Sequence, residues 1–149
     1  MSEANLAWDR DMWAALNAHD VEGWTKMLAE DHVWEMDALG GSLVGREAAR
    51  EAMWGYLRGF PDLRWQIEEQ VVNGDSVITR WWAKGTHQGP FLGITPTWRA
   101  ISVHGVTVTW WRDGKVARLW GYWDSGWLMR QLQAWPESWA PVHWRARAS

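Results

Sequence analysis

Across residues 3–18, Leu6, Met12, Trp13 and Leu16 recur at helical spacing on one face, beside the helix-favouring pair Ala14-Ala15. Asp9 falls inside that apolar stripe. Asp20 stands where it can cap a short second helix carrying Val21, Trp24, Met27 and Leu28. Residues 32–37, HVWEMD, alternate as a short strand, and LGGSLVG reads as a loop. The spacing of Ala49, Met53, Tyr56, Leu57 and Phe60 predicts a third helix over about 46–58.

From residue 62 the period falls to two. Leu63, Trp65 and Ile67 alternate with polar neighbours, Asn73-Gly74-Asp75 turns the chain, and 76–87 returns as a long strand. The stretch QGPFLGITP is punctuated as a loop. Strands follow at about 98–111 and 115–124, joined by an Asp113-Gly114 hairpin turn. A short last helix is predicted from Ser125 to Ala134, before a Pro-broken tail. Three helices followed by an antiparallel meander predict an α+β fold, a strongly curved and mostly antiparallel sheet forming a cone around the helices with a pocket inside. The expected organisation is one domain over 1–134 and a tail over 135–149.

Charge and composition narrow the partners. The 149 residues hold 15 Lys plus Arg against 18 Asp plus Glu, a net charge of −3, which gives no basic field for nucleic acid or an anionic membrane. The chain has no Cys, so disulfides and thiolate zinc sites are excluded. The five His are scattered without ligand spacing, so neither a metal nor another cofactor is expected. With no apolar leader and no membrane-length apolar run, cytoplasmic is the default expectation.

The anomaly is 17 Trp beside 2 Tyr and 2 Phe. Engineering of part of that indole content is one reading of it. Trp doublets at 81–82 and 110–111 must each send one ring to either side of a strand. With Arg80 facing inward, Trp82 faces inward and Trp81 outward. Outward indoles predict a homodimer through the outer sheet face. Inward ones, with Trp13, Trp34, Trp65 and Trp120, would line a flat π-rich cavity together with Met53, Tyr56, His87 and Trp110, suited to a planar aromatic ligand.

Two acids are candidates for chemistry. On strand 116–124, alternation puts Arg118, Trp120, Tyr122 and Asp124 on one face. If that face lines the pocket, burial among rings raises the Asp124 pKa and makes it a stronger base, with Tyr122 or Arg80 steadying an oxyanion. The plainer alternative is that Asp124 or Ser125 only caps the helix that follows. Asp9 is the second acid, facing inward unless the helix is rotated, with Arg80 as a possible partner. His87 and His104 read first as structural or loop-tethering residues.

The chain also resembles the SnoaL-like polyketide cyclases of the nuclear transport factor 2-like superfamily. The resemblance rests on Ala14–Asp20, Gly45-Arg46-Glu47-Ala48, Phe60-Pro61-Asp62-Leu63, Gly85-Thr86-His87-Gln88-Gly89 with Pro96-Thr97, Asp113-Gly114-Lys115, and Trp123-Asp124 followed by Gln131-Leu132. It implies a cone-shaped fold and a cofactor-independent aldol cyclase in which Asp124 takes a proton from an activated C–H of an aromatic or polyketide substrate. Departures are Trp98, where a glycine usually follows Pro-Thr, and Trp110, near where some cyclases carry a histidine. Arg80 is followed two residues on by Trp82 and not by the Asp of related epoxide hydrolases. Two rival readings stay open: an engineered relative in which Asp9 or Asp124 deprotonates a small heteroaromatic substrate, and a non-catalytic aromatic-ligand-binding module.

Overall fold

A computed structural model of the chain describes residues 2–37 and 40–134. The predicted tail over 135–149 lies outside the described residues. Helix α1 spans Ser2–Asn17, α2 Val21–Lys26, α3 Arg46–Gly59 and α4 Ser125–Gln131. The strands are β1 Leu28–Met36, β2 Gly41–Val44, β3 Arg64–Asn73, β4 Ser76–Thr86, β5 Ala100–Arg112 and β6 Lys115–Trp123. They form one six-stranded sheet in the order β2-β1-β6-β5-β4-β3, open at both edges. The architecture is α+β, as the pattern predicts, and the sheet is mixed because β1 runs parallel to β6 while every other pair is antiparallel. The LGGSLVG stretch is corrected: part of it is strand β2, paired with β1 from Val33↔Val44 to Met36↔Gly41.

Local chemistry starts and stops these elements. The Asp20 carboxylate accepts from the Gly23 N–H at 2.9 Å and begins α2. At the β5–β6 hairpin Asp113 and Gly114 adopt φ of 51° and 73°, the left-handed pair that a tight two-residue turn requires. Asn17 at the end of α1 pairs with both backbone groups of Trp65 at 2.8 Å, and His19 Nε2 donates to Leu63 O at 2.6 Å. Helix α1 is thereby pinned to the start of β3. Gln131 holds α4 against β5 by bonding the backbone N–H and C=O of Ser102 at 2.8 and 3.0 Å.

The core fills the space between the helices and one face of the sheet. Met12, Trp13 and Leu16 of α1, Trp24 of α2, and Ala49, Met53 and Leu57 of α3 are buried against Trp34, Trp81, Val103 and Leu119 of the strands. No described helix is long and apolar enough to cross a membrane.

Two irregularities decide which side chains reach that core. In β3, Ile67 pairs with Trp81 but Glu69 pairs with Arg80, so Glu68 is an extra residue. In β6, Val116 pairs with Trp111 but Arg118 with Trp110, which leaves Ala117 extra. Each bulge reverses the alternation along its strand. Val116 is therefore buried, and so is Leu119, although one is even-numbered and the other odd.

Candidate functional site

A cavity of about 100 Å³ lies between the helices and the inner face of the sheet. Its wall combines Met12, Trp13 and Leu16 of α1, Trp24 of α2, Met53 and Tyr56 of α3, and Trp34, Met36, Trp65, Trp81, Leu119 and Trp123 of the strands. Phe91, from the loop after β4, closes against Tyr56 and Phe60, with ring centroids 5.6 and 5.1 Å away. Apart from Tyr56, no ionisable side chain among the described residues lies on this wall. Burial pushes the Tyr56 hydroxyl up to about 12, opposed by a hydrogen bond from Trp123, so the phenol stays protonated at neutral pH. It donates to Met36 Sδ at 3.8 Å.

Of the expected substrate-binding residues, Trp13, Trp34, Met53, Tyr56 and Trp65 stand on the wall. Trp82, Trp110 and Trp120 do not; they lie on the opposite face of the sheet. Trp82 stacks on His104 at 5.2 Å with Lys84 Nζ 3.9 Å above it, and its indole N–H bonds Ser102 Oγ. Trp110 sits 4.5 Å under the Arg118 guanidinium, and Trp120 donates to Asp37 Oδ2 at 3.0 Å. The inward and outward members of the first doublet are thus exchanged: Trp81 is buried and donates to Thr107 Oγ1 at 2.8 Å. The reason is register. Trp81 pairs with Gly105 and Trp82 with His104, and only the glycine leaves room for an indole on the core side.

His87 is fully buried yet off the wall, and burial lowers its pKa. Its Nδ1 accepts from the Thr97 N–H at 3.1 Å and contacts Thr97 Oγ1 at 3.0 Å. It straps the loop that carries Phe91, so its connection to the cavity is indirect.

The proposed acids separate. Asp124 is exposed, and its Oδ1 accepts from the Trp127 N–H at 2.8 Å as the N-cap of α4. This corrects the expectation that it looks into an indole-walled hollow, because the Ala117 bulge turns Arg118, Trp120 and Tyr122 outward and gives the wall to Leu119, Gly121 and Trp123. Tyr122 is 54% exposed and stacks on Trp120. Arg80 is also outside, paired with Glu68 at 2.6 Å and Glu69 at 3.4 Å, and not with Asp9.

Asp9 is completely buried. Five side-chain donors converge on it: Trp13 Nε1, Gln70 Nε2 and Thr79 Oγ1 at 3.1, 2.9 and 3.1 Å from Oδ2, and Thr109 Oγ1 and Trp111 Nε1 at 2.5 and 3.3 Å from Oδ1. Desolvation raises its pKa, with bonds from Thr109, Trp111, Thr79 and Trp13 opposing. A carboxylate offers about four lone-pair positions, so none stays open for a substrate proton. Asp9 ties α1 to β3, β4 and β5. Gln70 reaches it only because the Glu68 bulge turns that residue inward.

Pattern reasoning missed Trp24, Trp81 and Trp123 as wall residues. For Trp24 the signal was present: it lies on the apolar face of α2 and is 0% exposed. For the other two, strand parity was needed and the bulges hide it. Among the described residues no group of three or more His, Asp or Glu is placed to hold a metal.

Comparison with solved structures finds the same fold over most of the chain. AclR, a candidate hydroxylase from Streptomyces galilaeus, is 29% identical, with a TM-score of 0.82 over 91% of this chain and 100% of its own. A SnoaL-like candidate polyketide cyclase from Jannaschia sp. CCS1 is 24% identical, with a TM-score of 0.82 over 91% and 96%. IdmH, a candidate polyketide cyclase from Streptomyces antibioticus, is 26% identical, with a TM-score of 0.75 over 87% and 98%. No curated protein matches the chain in sequence. The family model described as SnoaL-like polyketide cyclase matches residues 7–132, from the middle of α1 to the end of α4, so the chain belongs to the SnoaL-like polyketide cyclase family.

Proposed function

We propose that the chain is a polyketide-cyclase-like protein that takes a small, neutral, aromatic or polyketide-class ligand into the indole-walled cavity and acts by holding it in one conformer. The observation that carries this is the wall: mostly rings, aliphatic chains and thioethers, with no carboxylate, ammonium or guanidinium group among the described residues. Such a surface rejects charge, since an unpaired buried ion is strongly disfavoured. In an aldol closure the C–C bond forms as the acceptor C=O π bond opens, and the proton lost from carbon ends on the new alkoxide oxygen of the ligand itself. Fixing one conformer therefore promotes closure through proximity, without a dedicated carboxylate base.

Size sharpens the reading. An apolar cavity of roughly 150 Å³ accepts one benzene ring, whereas this one is about 100 Å³. A single ring enters if the wall yields, and Met12, Met36 and Met53 supply flexible thioethers that can do so. The test is calorimetric titration with single-ring and fused-ring neutral aromatics. Binding of single rings with a negative heat-capacity change is expected; no binding by either class would sink the proposal. For the chemistry, ring closure of an activated substrate should proceed at the same rate in Asp124→Asn, and a large loss would return that carboxylate to the mechanism.

The outer face supports a proposed self-association. Trp82, Trp110, Trp120 and Tyr122 spread aromatic surface over β4, β5 and β6, and a second copy would cover it by two-fold pairing. Sedimentation should show a dimer that Trp110→Glu dissociates; a monomer at every concentration would refute it.

A further inference from the structure

Most buried indole N–H groups around the cavity have acceptors. Trp13 donates to Asp9, Trp81 to Thr107, and Trp111 to Asp9 and Thr109. Trp24 and Trp34 differ. They are 0% and 7% exposed, both form cavity wall, and neither Nε1 has a hydrogen-bond partner among the described residues. Leaving two such donors unmet in an apolar interior is costly, so their retention in two residues of the cavity wall points to an acceptor supplied from outside.

The ring pair and a neighbouring glycine bear on where that acceptor would sit. The two rings meet edge to face, with centroids 5.8 Å apart and planes at 74°. A Cβ on Gly121, itself a wall residue, would stand 3.5 Å from Trp34 Nε1. The space that the missing side chain leaves therefore adjoins the N–H. Tyr56 stacks on Trp34 with centroids 6.2 Å apart, its hydroxyl already donated to Met36 Sδ. Donors without a facing charge select a neutral oxygen acceptor.

We infer that Trp24 and Trp34, with the gap at Gly121, form a polar subsite that receives the carbonyl oxygen of a small neutral aryl ketone or quinone-like ligand. The inference rests on the cavity being the ligand site. The rest of the ring packs on Tyr56 and the methionines, and the oxygen fixes its orientation. In an enolising ligand the same donors would face the oxygen on which negative charge develops.

The test uses acetophenone and α-methylstyrene, which share a planar shape and differ in carrying C=O or C=CH2. Both are titrated into wild type, Trp34→Phe and Gly121→Ala, and the infrared carbonyl stretch of bound acetophenone is recorded. Gly121→Ala sets a methyl at ordinary contact distance over the N–H and leaves the indole in place. In wild type the stretch should fall below its value in hexane. Each variant should weaken acetophenone about tenfold relative to α-methylstyrene, the worth of one hydrogen bond. A hexane-like stretch in wild type, or equal losses for both ligands, would overturn the subsite while leaving the cavity reading intact. Binding of neither ligand to wild type would remove the cavity reading, and the subsite with it.

Discussion

The Trp81 indole lies directly over Gly105 of the neighbouring strand, so close that a Cβ on the glycine would stand within 2.3 Å of the ring. Gly105→Ala must therefore displace a buried indole that also bonds Thr107. The expected loss is about 1–3 kcal/mol, the usual range for overpacking a core. A chemical-denaturation midpoint equal to wild type would show that the ring moves freely and is not a fixed part of the wall.

Asp9→Asn keeps the shape and leaves one oxygen to serve donors that now use two. The cost should be about 2–4 kcal/mol, because at least two buried donors lose their acceptor. A change under 0.5 kcal/mol would show that the five bonds are not what holds α1 to the sheet.

The same pair of proteins reports the sign of the Asp9 shift. Its folded pKa is raised above 3.8, so the folded state binds the proton more tightly and that contribution is complete below 3.8. It is lost as pH rises through the folded pKa. The stability advantage of wild type over Asp9→Asn should shrink on going from acid toward neutral pH. A growing advantage would mean that the donors outweigh desolvation.

His32 gives the opposite slope. It is fully buried, its Nδ1 donates to Val116 O at 2.8 Å, and Nε2 meets no partner among the described residues. Burial lowers its pKa below 6.5, outweighing the Val116 bond and the charge of Asp31. The neutral form is the one that folds, so its contribution is present above 6.5 and is lost as pH falls through the folded value. Wild type should lose stability relative to His32→Gln as pH drops below 6.5, measured by urea unfolding at several pH values. Parallel curves for the two proteins would refute this.

Asp124 should behave as a cap. Asp124→Ala is expected to cost about 1 kcal/mol, and Asp124→Asn only a few tenths, because an amide oxygen accepts the Trp127 N–H equally well. Equal losses in the two variants would show that the charge, and not the cap, matters.

Much of the fold was legible in the pattern. Met12, Trp13 and Leu16 announced the buried side of α1, Ala49, Met53 and Leu57 that of α3, and Asp113-Gly114 marked the hairpin, because helix period and turn chemistry are local properties. Strand β2 escaped notice. Its Gly41-Ser42-Leu43-Val44 carries no strong alternation and exists only by pairing with β1.

The candidate site was legible as a composition and not as a constellation. The chain announces indoles by the dozen and one acid beside a strand end, but parity along a strand is all that tells wall from exterior, and one inserted residue reverses it. Ala117 and Glu68 are such residues, and nothing in their own chemistry marks them. Local periodicity, caps and turns thus belonged to the sequence itself. The placing of Trp81 over Trp82, the closing of five donors on Asp9 and the two unmet indoles depended on register between strands far apart in the chain, where long-range packing chooses among faces that look alike in one dimension.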